Sequence, residues 1–263
     1  MTTRVAAKGL ATAVAGRTLW RDLDLAVEAG ECWVIVGPNG AGKTTLLAAL
    51  AGLVQPDHGL VTYDGVRLET LSNRSRARRR GWLAQVDYDA FPASVLETVL
   101  AGRHPHVARW QWESSDDVAI ARDALARVDL AGFEDREVAT LSGGERRRVA
   151  IAAVIAQDPD VLLLDEPTAH LDLKHQVAVL DDLTRWCRAD GKALVVVLHD
   201  LHLALRFADR AVALGDGRGL AGPADAVLTS SVLSRLFDHR LLPLEQHGLR
   251  TLLPARPGGP DGG

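Results

Sequence analysis

Residues 32–52 read "CWVIVGPNGAGKTTLLAALAG", and this stretch decides the fold. Its five opening apolar residues suit a strand buried on both faces, as in a parallel sheet. "GPNGAGKTT", residues 37–45, then matches G-x-x-x-x-G-K-[ST], with Gly37, Gly42, Lys43 and Thr44 at the fixed positions. Glycines let the backbone wrap around phosphate oxygens with its N–H groups turned inward. Lys43 would reach the β- and γ-phosphates, and Thr44 would place its hydroxyl on magnesium. The loop as a whole (Gly37, Pro38, Asn39, Gly40, Ala41, Gly42, Lys43, Thr44 and Thr45) is the candidate nucleotide cradle. A helix follows it, as the mechanism requires.

Working outward, residues 1 to about 36 read as short alternating strands, with "EAGE" at 28–31 as a turn. "GLVTYDGVRL" reads as a hairpin turning on Asp64–Gly65, and "WLAQ" at 82–85 as a further strand. From about 88 to 158 the texture is helical, and "SVLETVLAG" opens on a Ser94–Glu97 cap. Apolar strands and helices then alternate: "VLLLD", "LKHQVAVLDDLTRWCRA", "ALVVVLHD", "LHLALRFA" and "RAVAL". The expected fold is α/β with a mostly parallel sheet covered on both faces. Antiparallel strands lie near the start and a helical segment is inserted. The expected divisions are a core of 1–87 and 159–240, helices at 88–158, a hairpin at 240–254 and a flexible tail at 256–263.

Composition narrows the function. A net charge of -4 over 263 residues argues against a general nucleic-acid binder. Cys32 and Cys187 lack metal-ligand spacing and read as buried free thiols in a reducing compartment. "MTTRVAAKGL" has no apolar signal core, and no apolar run approaches the ~20 residues of a membrane span. The expectation is a soluble cytoplasmic chain whose membrane role, if any, comes through a partner.

"VLLLDEP" puts Asp165 and Glu166 at the end of a buried strand, where open α/β sheets bind ligands. Asp165 can hold magnesium, directly or through water, and Glu166 is the candidate to polarise an attacking water. Gln85 and His199 end strands on the same side and could contact the γ-phosphate, its water or its metal. "LSGGERRR", 141–148, carries a Ser142–Glu145 capping box with two glycines inside it. Glycines there let an anion approach bare N–H groups at a positive helix end.

Together these motifs resemble the nucleotide-binding subunit of an ABC transporter: Walker A "GPNGAGKTT", Q-loop Gln85, signature "LSGGE", Walker B "VLLLDEP", D-loop "AHLD" and switch "VLHD". The resemblance spans roughly residues 3–240 and implies a P-loop NTPase (RecA-like) core in one ATP-binding domain, 1–255. It also implies a head-to-tail dimer holding two ATP molecules with Mg2+. In that picture Glu166 is the catalytic base, Gln85 touches magnesium and the water, and His199 holds the γ-phosphate. Thr44 and Asp165 complete the metal site. Ser142, Gly143 and Gly144 complete the partner's site, and Asp172 of the D-loop lies across the interface. The helices at 88–158 would dock on a membrane permease, which places the chain at the cytoplasmic face of the plasma membrane, indirectly served by a substrate-binding protein.

"VLAGRHPH" at 99–106 and "LDLKHQ" at 171–176 look like importers of iron-siderophore, haem or cobalamin complexes. A soluble cluster-assembly ATPase and an exporter subunit are the alternatives. His104 and His106 suggest either metal chelation or ordinary loop positions, and the arginine run 74–80 reads as a solvated face. The family often stacks adenine on an aromatic residue about where Val14 stands; Trp20 is the only aromatic before Trp33, so loose base selectivity is expected. Glu145 and Ala169 replace commoner Gln and Ser without removing a group assigned to the chemistry.

Overall fold

A computed structural model describes residues 2–85, 92–108, 111–246 and 249–255. Strands β1 (Thr3–Val14) and β2 (Arg17–Glu28) form an antiparallel pair, and β3 (Cys32–Val36) leads into helix α1 (Lys43–Ala51). β4 (His58–Tyr63) and β5 (Val66–Arg67) make a hairpin, followed by α2 (Asn73–Arg79) and β6 (Arg80–Leu83). Helices α3 (Val95–Leu100), α4 (Ser115–Arg127) and α5 (Gly143–Gln157) come next. β7 (Val161–Asp165), α6 (Leu173–Asp190), β8 (Ala193–Val197), α7 (Leu201–Phe207) and β9 (Arg210–Gly215) then alternate. The chain continues through β10 (Arg218–Pro223), α8 (Ala224–Val227), α9 (Ser230–Leu236) and the paired strands β11 (Leu241–Gln246) and β12 (Leu249–Pro254). The tail expected at 256–263 lies outside the described residues.

The central sheet runs β10-β9-β3-β8-β7-β6, with every pair parallel except β10–β9. A second, antiparallel sheet runs β2-β1-β4-β5. Alternation along the central strands splits the core in two. Cys32, Val34, Leu162, Leu164 and Val196 pack with helices α3–α7 on one face. Trp33, Ile35, Leu163 and Val195 pack with α1 and the antiparallel sheet on the other. Both faces are therefore covered, as the unbroken apolar strands predict.

Three local outcomes refine the sequence reading. β1 and β2 are long strands rather than short pieces; register shifts, one spanning Gly9 at φ +57°, interrupt the alternation that marks a strand. Asp64 and Gly65 both take positive φ, at +46° and +78°, as a two-residue hairpin turn requires. The arginine run is only partly a solvated face. Arg74 donates to the carbonyls of Pro105 and Val107, Arg78 to Pro105, and Arg76 to Leu71 and Glu69. The Arg74 and Arg78 bonds tie the end of the "VLAGRHPH" segment to α2, while those of Arg76 brace the turn before α2.

Cys32 and Cys187 are free and buried, and burial pushes both thiols far up, Cys187 to about 12. Among the described residues no helix is long and apolar enough to cross a membrane.

Candidate active site

β3, β6, β7 and β8 all end on one edge of the central sheet, and each hands over to a predicted site residue there. Gly37 follows β3, Gln85 lies just beyond β6, Asp165 closes β7 with Glu166 after it, and His199 stands two residues past β8.

The loop from Gly37 to Gly42 is shaped by close approaches. A Cβ on Gly37 would sit 2.3 Å from the carbonyl oxygen of Leu214, which leaves room only for glycine. Gly42, at φ +88°, is the N-cap of α1, and its Cβ would meet Leu19 at 2.9 Å. No side chain caps α1, so its first-turn N–H groups stay available to an anion. Trp20, fully buried, donates its indole N–H to the Gly42 carbonyl at 3.4 Å and supports the loop from behind. Ala41 is buried against the loop, its N–H donating to Pro38.

Lys43 folds back over this cradle, donating to the carbonyls of Gly37 (2.8 Å) and Pro38 (3.0 Å). Burial lowers its pKa, while the negative charges of Glu166 and Asp165 oppose the change. Those carbonyl contacts are ones a phosphate oxygen can replace. The loop opens on a cleft of about 740 Å³, walled by Asn39, Gly40, Gly42, Lys43, Thr44 and Thr45. Gln85, Glu166 and His199 form the opposite side, with Val14 and Leu19 at the margin.

Asp165 is 0% exposed, and among the described residues neither of its carboxylate oxygens has a partner in hydrogen-bonding geometry, the Thr44 hydroxyl being the nearby polar group. Burial pushes its carboxyl above the usual range, an effect the nearby Thr44 hydroxyl counters and the Glu166 charge reinforces. An unmet buried carboxylate is costly. The Thr44–Asp165 pair is thus suited to a hard divalent cation with oxygen ligands, with Gln85 offering a further carbonyl.

Glu166 is held on two sides. Gln85 Nε2 donates to its Oε1 at 2.8 Å, and His199 Nε2 lies 2.5 Å from the same oxygen. The residue takes φ +49°, a conformation non-glycine residues rarely adopt and one found where surroundings impose it.

The structure does not bring the signature or Asp172 to this cleft. Ser142, an exposed residue, caps α5 with Glu145 in a full capping box. Asp172 caps α6, accepts from the His175 N–H at 2.9 Å and lies 2.7 Å from its Nδ1; these contacts hold the Asp172 carboxyl below its usual range. A Cβ on Gly144 would come within 2.9 Å of the His170 carbonyl, so this glycine is also demanded by the chain's own D-loop.

Sequence reasoning missed Arg147. It is 1% exposed and donates to the carbonyls of Ala84 (2.7 Å), Asp165 and Glu166 (2.8 Å). The signal was present: Arg147, Ile151 and Val154 share a helical face, an arginine on an apolar stripe. His106 bonds the Gln157 carbonyl and His104 is exposed; among the described residues no cluster of three or more His, Cys, Asp or Glu could hold a metal.

A model of the ABC transporter family matches residues 20–169, more than half of the chain. The hemin import ATP-binding protein HmuV of Nocardia farcinica is 47% identical over 243 residues, covering 91% of this chain and 83% of its own length. A metal-chelate type ABC transporter solved in an inward-facing conformation superposes with a TM-score of 0.84 at 26% identity, covering 97% of this chain and 98% of its own. The dimeric bacterial ABC transporter cassette MJ0796 superposes with a TM-score of 0.74 at 28% identity, covering 84% and 98%.

Proposed function

The chain belongs to the ABC transporter family and is an ATPase; from that premise we propose that it is the motor subunit of a bacterial importer for a metal chelate of the haem, cobalamin or iron-siderophore kind. The hemin import relative and the metal-chelate transporter support the cargo class. The observation that carries the chemistry is the convergence of Gln85 and His199 on one oxygen of Glu166, across the cleft from the phosphate loop.

ATP takes the cradle of Gly37–Thr45, its phosphates meeting the uncapped N–H groups of α1 and displacing Lys43 from its loop carbonyls. Thr44, Asp165 and Gln85 would hold Mg2+, which would supply positive charge to offset that of the phosphates. Glu166 accepts a proton from water as the water oxygen attacks the γ-phosphorus and the bond to the β–γ bridging oxygen breaks, leaving ADP and phosphate. His199 leaves Glu166 to donate to a γ-phosphate oxygen, and Gln85 orients the water.

The second half of each site comes from another copy. Ser142, Gly143, Gly144 and Asp172 face a partner's nucleotide in a head-to-tail dimer, a reading supported by their absence from the chain's own cleft. ATP favours the closed dimer because only that state gives it both halves, so hydrolysis and release reopen it. Helices α3–α5 dock on a permease at the cytoplasmic face of the membrane, and a substrate-binding protein delivers cargo on the far side.

The test is Glu166→Gln. The variant binds ATP, accumulates as an ATP-dependent dimer by light scattering and loses at least about 100-fold in turnover. Retained turnover sinks the catalytic assignment.

A further inference from the structure

"LSGGERRR" sends its three arginines in three directions. Arg146 is exposed, and Arg148 donates to the carbonyls of Val128 and Asp129 behind α4. Arg147 alone turns inward, five residues after the signature serine, among the largest fully buried side chains. Burying a guanidinium is unfavourable unless its donors are met. Here main-chain carbonyls at the ends of two different strands accept from both of its terminal nitrogens, Nη1 and Nη2.

Those carbonyls are not arbitrary. Ala84 immediately precedes Gln85, and the other two belong to Asp165 and Glu166 themselves. One planar fork therefore ties the backbone that aims Gln85 to the backbone that aims Glu166, whose positive φ needs outside support. The fork rides on the helix whose first turn is the signature.

We propose that Arg147 is a positioning residue through which the placement of the signature helix sets the aim of Glu166 and Gln85. When the signature helix engages nucleotide in the dimer, the three carbonyls move with it, and the attacking-water geometry is completed only then. This rests on Glu166 being the catalytic base.

The experiment measures steady-state ATPase kinetics of the full chain for Arg147→Gln, Arg147→Lys, Glu166→Gln and the double variant Arg147→Gln/Glu166→Gln, with circular dichroism as the check on folding. A Gln can reach one of the three carbonyls; a Lys keeps the charge without the fork. The expected result is a kcat about 10- to 100-fold lower for Arg147→Gln at a KM within about threefold of the parent, because misaimed groups cost turnover more than binding. Arg147→Lys recovers part of the loss. Added to Glu166→Gln, Arg147→Gln lowers the residual rate by less than about twofold, since the groups act as one unit. A structural role alone predicts additive losses and equal damage to KM. Unchanged kcat, additive losses, or failure of both Arg147 variants to fold each overturn the proposal. If Glu166→Gln itself keeps turnover, the catalytic reading fails and takes this one with it; if Glu166→Gln is dead and Arg147→Gln is not, only this one fails.

Discussion

Nε2 of His199 lies 2.5 Å from Oε1 of Glu166, so the histidine and the carboxylate proposed as the base hold one another. Neither is then free for its role, and a γ-phosphate must compete for the histidine. The prediction is that His199→Ala lowers kcat by about 100-fold, within the range for losing one positioned donor to a developing charge. The KM for ATP shifts far less, because the phosphate loop supplies most of the binding. Single-turnover hydrolysis with radiolabelled ATP separates the two; a proportional rise in KM would assign His199 to binding instead.

Asp165 yields a stability prediction with a definite sign. Burial raises its carboxyl pKa, so the folded chain holds this proton more tightly than the unfolded chain does. Its contribution favours folding at low pH and weakens as pH climbs through the raised value. Asp165→Asn removes the charge, and the nucleotide-free protein should gain about 1 kcal/mol at neutral pH, roughly 2–4 °C in Tm. The gain should vanish below the ordinary aspartate pKa, and Mg2+-dependent ATP hydrolysis should be lost. Thermal melts across pH check it; a lower Tm at neutral pH would show that the carboxylate is satisfied in solution.

Much of this site could be read from the chain because the chemistry restricts both residue type and backbone there. Gly37 and Gly42 have no substitute beside the Leu214 carbonyl and Leu19, and Ser142 with Glu145 announces its helix. What escaped depends on tertiary approach. Gly144 looked like an opening for an anion, yet its own D-loop carbonyl also demands it. Trp20, the only aromatic before Trp33, is buried under the loop, and Val14, 53% exposed, stands at the margin of the cleft. Arg147 looked like one charge in a run, because nothing local says which of three arginines faces two strand ends.

Arg103, inside "VLAGRHPH", is 8% exposed and donates to Asp117 Oδ1 and the Ala156 carbonyl, both at 2.8 Å. That bond, with the Ser114 cap, holds the Asp117 carboxyl at about 2. The pair's stabilisation is present above the ordinary value of 3.8 and is lost as pH falls toward about 2. Arg103→Ala leaves a buried carbonyl and a carboxylate short of a donor, at a cost of about 3 kcal/mol. Acid unfolding should also begin at higher pH. Urea titrations at pH 3 and pH 7 check both effects, and a variant within 0.5 kcal/mol of the parent, about the scale of an ordinary surface change, would show that the helices do not depend on this link.

The division of the site between copies can be tested without a permease. A Lys43→Ala protomer has a dead cradle and an intact signature; a Ser142→Arg protomer has the reverse. In a head-to-tail heterodimer one composite site carries both lesions and the other carries none. Random pairing of equal amounts makes half the dimers mixed, each with one intact site. The mixture should therefore run at about a quarter of the parental rate while each variant alone is inactive, as expected of a twofold dimer in which the loop of each copy meets the signature of the other. A mixture no faster than either variant would mean that the two sites fire only together, or that the signature serves its own chain.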